Sequence, residues 1–245
     1  MPLPLTPKRA PLLAWVCGFA MALALSACGG GGGGGSSTSS GGSGGGSGGG
    51  SSTSGPVTLS GVAATGTPLI GALVTVLDAS GASCGSTSTA LADGTYSLAL
   101  TCTSQTLPLF VEVAGVDMSG TPVSLHSVVQ TVVSGVGTRT IANVNPLTNA
   151  VVALLMGGDP TPYFQAGKAA ASGSATVRTA RWSLLGSSAS LTVASDFIKT
   201  VIRSNLNDAR LTNAALVDFF SDATFSPDKS GLDATIESLR IQFSR

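Results

Sequence analysis

Residues 29–55 contain only glycine, serine and threonine, and this run fixes where a fold can lie. A segment without apolar side chains has nothing to offset the entropy of ordering its backbone, so the sequence predicts a disordered spacer. Gly/Ser chains have an r.m.s. span of about 5–6 Å × √n, which gives these 27 residues a reach of roughly 30 Å. Fully stretched, at about 3.3 Å per residue, the run covers roughly 90 Å. Any folded domain must therefore come from the 190 residues that follow.

The stretch before the spacer has the parts of a secretory leader. Lys8 and Arg9 form a basic start, residues 11–25 an apolar body, and small residues close it. The apolar run is shorter than the about 20 residues a membrane span needs, and Pro11 and Gly18 interrupt it. Its last four residues, Leu25-Ser26-Ala27-Cys28, resemble the lipobox of bacterial lipoproteins. The resemblance implies removal of residues 1–27, with Trp15 and Cys17, by signal peptidase II. It also implies lipidation of Cys28 through a diacylglyceryl thioether and an N-acyl (palmitate-type) chain. One acyl chain holds a protein only marginally, and two or more make attachment stable. Gly29 stands where inner-membrane lipoproteins of enteric bacteria carry Asp, which points to the outer membrane, on its periplasmic or cell-surface face. The membrane is thus one expected partner, and residues 28–55 are the lipidated cysteine and its linker.

All 12 acidic residues and ten of the 12 basic ones lie beyond the spacer, so the remaining chain is close to neutral. It has no basic stripe, which excludes nucleic acid as an expected partner. Residues 56–144 read as strands and residues 145–245 as helices. Strands followed by helices fit either an α+β chain or two separate domains; the expectation is α+β, an antiparallel β-sandwich and then a small helical region.

In the first half, Val57-Thr58-Leu59 opens a strand. Ala72, Val74 and Val76 alternate with Leu73, Thr75 and Leu77. Tyr96, Leu98 and Leu100 alternate with Thr95, Ser97 and Ala99, and Leu109, Val111 and Val113 repeat the pattern. Asp78-Ala79-Ser80-Gly81 and Ala92-Asp93-Gly94 carry turn chemistry. Three runs resemble the carboxypeptidase regulatory-like family: Ser60-Gly61-Val62, the stretch from Gly66-Thr67-Pro68 to Val74-Thr75-Val76, and Ala92-Asp93-Gly94-Thr95-Tyr96-Ser97-Leu98. That resemblance covers about residues 56–115. It implies a seven-stranded transthyretin-like (Ig-like) sandwich that serves as an accessory module and carries no catalytic residues. The zinc-peptidase unit of that family's parent enzymes is not expected, because the chain has one histidine and no His-x-x-Glu pair.

After processing two cysteines remain, Cys84 and Cys102, and an oxidising compartment makes a disulfide the expected state. A three-residue loop 92–94 with Gly94 left-handed predicts a hairpin pairing Leu91 with Thr95. Paired numbers then sum to 186, which sets Cys84 directly opposite Cys102. The bridge would lie inside the sandwich, on the face of Tyr96, Leu98 and Leu100, with Ser86, Ser88 and Ala90 opposite those residues.

In the second half, Asn145-Pro146 reads as an N-cap and first helical residue, and Gly157-Gly158 as the stop. The text Asn-Val-Asn-Pro-Leu-Thr-Asn-Ala, from 143 to 150, resembles a junction found in proteobacterial lipoproteins with this sandwich. Helices are predicted near 163–171, 175–185 and 191–205, another around Leu216, Phe219 and Phe220 capped by Thr212, and a last one opened by a Ser230/Asp233 capping box.

Catalytic signatures are missing. His126 sits in the alternating run 123–129 and is expected on a strand surface. No Gly-x-Ser-x-Gly elbow accompanies the many serines, and the spacing of Lys168, Lys199 and Lys229 supports no Ser-Lys dyad. Asp222, Asp228 and Asp233 do not match a calcium loop and are expected to cap or turn the chain. No metal or cofactor is expected. Tyr163, Phe164 and Trp182 are the candidate recognition surface. The expectation is a non-enzymatic binding, adhesion or accessory module for an envelope protein or glycan. The second reading is a structural or assembly subunit of an envelope secretion or uptake system.

Overall fold

The computed structural model describes residues 57–102, 107–171 and 180–243, all within one compact unit, 51–245. Among the described residues seven strands form two sheets and six α-helices follow, an α+β arrangement. The strands are β1 (Thr58–Val62), β2 (Leu73–Leu77), β3 (Ser83–Ser88), β4 (Thr95–Ala99), β5 (Leu109–Val116), β6 (Pro122–Val129) and β7 (Thr140–Ile141). One sheet has the order β4-β1-β7 and the other β3-β2-β5-β6. All pairings are antiparallel except β1 with the short β7, which is parallel.

Alternation along the strands builds two apolar layers. Val74, Val76, Leu109, Val111 and Val113 of the four-stranded sheet join Leu59, Tyr96 and Leu98 of the other in one buried core. The opposite face of the four-stranded sheet is also covered: Leu77, Phe110 and Val128 pack under helices. Gly61 allows a close approach here, because a Cβ at that position would collide with the Ala142 carbonyl. Tyr96 closes the same corner by donating its hydroxyl to Ala142 O at 2.5 Å.

The helices are α1 (Pro146–Met156), α2 (Thr161–Ala171), α3 (Ala180–Gly186), α4 (Ser188–Val201), α5 (Arg203–Asp208) and α6 (Gly231–Phe243). The cap of α1 is as expected: Asn145 accepts from the backbone of Leu147 and Thr148, Pro146 occupies the first turn, and Gly157 is left-handed. α1, α2 and α3 lay Val152, Met156, Phe164, Trp182 and Leu185 on the outer sheet face around Phe110. Phe164 and Trp182 meet Phe110 edge-on at 5.1 and 5.3 Å, a geometry worth about 0.5–1.5 kcal/mol per pair beyond area burial. α4, α5 and α6 share a third cluster with Leu147 and Val151 of α1.

The β3–β4 hairpin is not formed. β3 pairs with β2 and β4 with β1, so the connection crosses from one sheet to the other. Gly94 is left-handed as the turn chemistry requires, with φ 69°. Backbone bonds remain at the two ends of the arch. At the turn Ala90, and not Leu91, meets Thr95, with Ala90 N donating to Thr95 O and Gly94 N to Ala90 O; at the other end Thr101 N donates to Cys84 O. Cys84 and Cys102 are nonetheless bonded, with Cα atoms 4.6 Å apart, and Cys84 is buried in the core. A bulge explains how. Val76 pairs with Gly85 but Leu77 with Ser83, so Cys84 is the extra residue and turns inward. Gly85 takes φ 123° there, which few other residues adopt. The same slip reverses the face beyond it, and Ser86, Ser88 and Ala90 are exposed rather than opposite Leu98.

Two helical expectations also change. In place of a helix through Leu216, Phe219 and Phe220 there is one 3₁₀ turn, Ala214–Leu216. The carbonyls of Phe219 and Phe220 are taken by Asn145 and by the Asn143 backbone, so they cannot serve a helix. The predicted capping box shifts. Asp233 accepts from Lys229 N, while Ser230 bonds to Asp228.

Candidate functional site

The densest polar chemistry lies where the strands give way to helices, in the run Asn143-Val144-Asn145-Pro146-Leu147-Thr148-Asn149. Asn143 accepts from Val62 N at 3.2 Å and donates to Asp222 O at 2.7 Å. Asn145, besides capping α1, donates to Phe219 O at 3.2 Å. The Thr148 hydroxyl lies 2.9 Å from His126 O, and Asn149 Oδ1 accepts from His126 N at 3.0 Å. Those two side chains occupy the backbone groups of β6 that a further strand would have used, so α1 seals this sheet edge.

His126 is fully buried, not on a strand surface. It opposes Glu112 across the β5–β6 ladder, on the face roofed by α1 and α2. Asn149 Oδ1 is fixed by the backbone N–H it accepts, so the His126 Nδ1 at 3.0 Å from the same oxygen carries a proton. Nε2 faces Glu112 Oε1 at 3.5 Å, an ion-pair distance. Glu112 also accepts from Ser124 at 3.1 Å and from Gln165 at 3.2 and 3.3 Å. Burial alone would raise the Glu112 carboxyl, but the His126 ring beside it, with Ser124 and Gln165, outweighs burial and holds it below the usual carboxylate range. A general base must come within hydrogen-bond reach of its substrate. With the Phe110 and Phe164 rings packed at 5.4 and 5.8 Å, His126 has no surface to offer one. The arrangement acts as a clamp, joining α1 and α2 to the sheet.

The candidates read from the sequence are distributed as follows. Cys28 lies outside the described residues. Cys84 and Cys102 are joined in the core. Phe164 and Trp182 are core residues and Tyr163 packs half-buried against them, so they present no recognition surface. Their helical spacing is that of an inward face. Asp222 and Asp228 each close a local turn, on Thr224 and Ser230. Among the described residues no group of three or more His, Cys, Asp or Glu side chains could hold a metal ion.

The exposed apolar residues have a pattern that sequence reading missed. Ile70, Leu73, Leu91, Val116 and Met118 are all exposed, Leu91 and Met118 at 78% and 74%. The sheet registers gather them at one pole. Leu73 pairs with Ser88 and Ala114, Val116 with Pro122, and a Cβ at Gly71 would touch Leu91. Val57 enters at the other pole, where Thr58 pairs with Ala99 and Thr101 bonds to Cys84. The carboxylates at the apolar pole are already engaged: Asp93 accepts from Thr95, and Asp117 from Ser119 and Thr121. No lysine or arginine occurs in residues 57–138. The signal for this pole was apolar residues inside turn text, as at Leu91 and Met118.

No protein-family model matches the chain, and no curated protein or solved structure does either. Among the described residues no helix is long and apolar enough to cross a membrane.

Proposed function

We propose that this chain is a lipid-anchored protein of the bacterial outer membrane, held by Cys28, whose folded part is a non-catalytic binding or adhesion module. The fold reading that goes with it is a carboxypeptidase regulatory-like, transthyretin-like sandwich extended by helices. Seven strands in two sheets around one core are compatible with that reading. The observation that carries the function is the aliphatic pole, Ile70, Leu73, Leu91, Val116 and Met118, opposite the point where the chain enters at Val57. Exposed apolar residues gathered in one place mark interaction sites more often than single ones do. With no lysine or arginine in residues 57–138, the pole suits a neutral, apolar patch on a partner protein.

A second observation favours the subunit reading. Val193, Phe197 and Val201 are exposed at four-residue spacing along α4, an unpartnered stripe of the kind that packs within assemblies. Crosslinking in cells separates the two. If the pole binds, Leu91→Ser with Met118→Ser abolishes recovery of the partner and Val193→Ser with Phe197→Ser does not. Loss only with the α4 pair would transfer the function to the stripe. The anchor is tested by Cys28→Ser, which is expected to abolish acyl labelling of the protein. Undiminished labelling would end the lipoprotein reading.

A further inference from the structure

A cleft of about 570 Å³ opens between α1, the α4–α5 corner and α6. Its walls are aliphatic, with Leu147 and Ala150 on one side, Ile198 and Ile202 on another and Ile236 on the third. Among the described residues that line it, none is charged. Three polar side chains line it, and each has a partner. Asn205 donates to Ser238 at 3.0 Å, Ser204 donates to Asn205 at 3.4 Å, and Thr65 lies 3.4 Å from Thr67. A ligand rich in donors and acceptors would leave them unmatched on entering, which disfavours sugars, nucleotides and peptides. The volume falls in the range of about 300–1,000 Å³ that small ligands occupy. Such a space suits one flexible aliphatic chain.

We propose that this cleft binds an acyl chain of a separate membrane lipid. The assignment goes beyond the anchor reading and depends on it only for the supply of lipid. Cys28 is joined to Val57 by residues 29–56, so an anchored chain keeps the cleft within tens of ångströms of a bilayer, at about 3.3 Å per residue. The lipid on Cys28 itself is the poorer occupant. Its three chains leave one residue side by side, and each one withdrawn from the bilayer weakens the attachment by its buried methylenes. Drawing one into the cleft would pull the others toward it.

The test uses the full chain in cells fed a diazirine-bearing fatty acid, which enters membrane lipids and the Cys28 lipid alike. After irradiation the protein is purified and crosslinked peptides are mapped. Adducts of whole lipids are expected to concentrate on the peptides carrying Ala150, Ile198, Ile202 and Ile236. Val201 lies on the cleft wall yet is 65% exposed, so Val201→Asp places a charge there without disturbing the core. It should reduce those adducts about tenfold, equivalent to about 1.4 kcal/mol, with the melting temperature unchanged. Ala150→Phe, which fills the space without charge, should do the same. Adducts spread equally over Val193 and Phe197, or undiminished in both variants, would overturn the assignment. Cleft adducts that join to the Cys28 peptide would identify the anchor as occupant and overturn it too. Cleft adducts without any label on Cys28 would support the cleft while ending the anchor reading.

Discussion

At the scale of single residues, the chain's one histidine is committed to structure. His126 and Glu112 are both buried, and each is held by a helix: the ring by Asn149 of α1, the carboxylate by Gln165 of α2. Removing one member of a buried pair strands the other, which typically costs about 3–5 kcal/mol, whereas replacing both by apolar groups is often close to neutral. His126→Leu is therefore expected to cost about 3 kcal/mol in urea unfolding. Glu112→Leu combined with His126→Leu should recover most of that. A single variant within about 1 kcal/mol of the parent would mean that the pair is not a clamp. The pair also sets an acid response. Because the folded Glu112 carboxyl titrates below its unfolded value, its contribution is present above the unfolded pKa and is lost as pH falls through the carboxylate range. Stability measured against pH should fall on that acid limb, and Glu112→Gln should flatten the fall. An unchanged acid limb in that variant would assign the response to other carboxylates. Asn145 makes the same point without charge: it caps α1 and holds Phe219 O, so Asn145→Ala should cost about 2 kcal/mol in the same assay, at the upper end for caps.

At the scale of elements, the disulfide shows what the sequence could and could not convey. Cys84 and Cys102 enclose a separation of 18 residues, so reducing the bridge or replacing both with Ala should cost about 3 kcal/mol if the loss of loop entropy governs it. Equal urea midpoints for the oxidised and doubly substituted chains would rule that out. The turn at Ala92-Asp93-Gly94, the alternation of Tyr96, Leu98 and Leu100, and the start of α1 were legible because each depends on a few neighbouring residues. The partner of β4 was not, because alternation says which way a side chain faces and not which sheet the strand joins. Nor was the bulge: a one-residue slip beside Gly85 inverts the face of everything beyond it, and a glycine within a strand does not by itself say that the ladder slips there. His126 was misjudged for a related reason. The pattern at 123–129 is that of a half-buried strand, but α1 and α2 cover the second face, which only tertiary packing reveals. The asparagines at 143, 145 and 149 were visible as text, but their partners lie up to 81 residues away.

At the scale of the whole molecule, the folded unit has a direction. The chain enters at the Val57 end, and the unpartnered aliphatic residues of β2, the β3–β4 arch and the β5–β6 turn lie at the far end. If Cys28 carries a lipid, residues 29–55 set how far that far end can travel from the membrane. Their composition gives them reach and no packing. The r.m.s. span of such a run scales with the square root of its length, so halving it should reduce a span of roughly 30 Å to roughly 20 Å. Two consequences can be separated experimentally. The melting temperature of the shortened protein should stay that of the parent, because a run of Gly, Ser and Thr has no apolar side chain to bury. Capture of a partner beyond the membrane surface, and labelling of the Leu91 and Met118 pole by a reagent that cannot enter the envelope, should both decline with length. A shift of several degrees on shortening would mean that the run packs on the fold. Capture that stays constant down to a few residues would mean that the partner lies at the membrane itself.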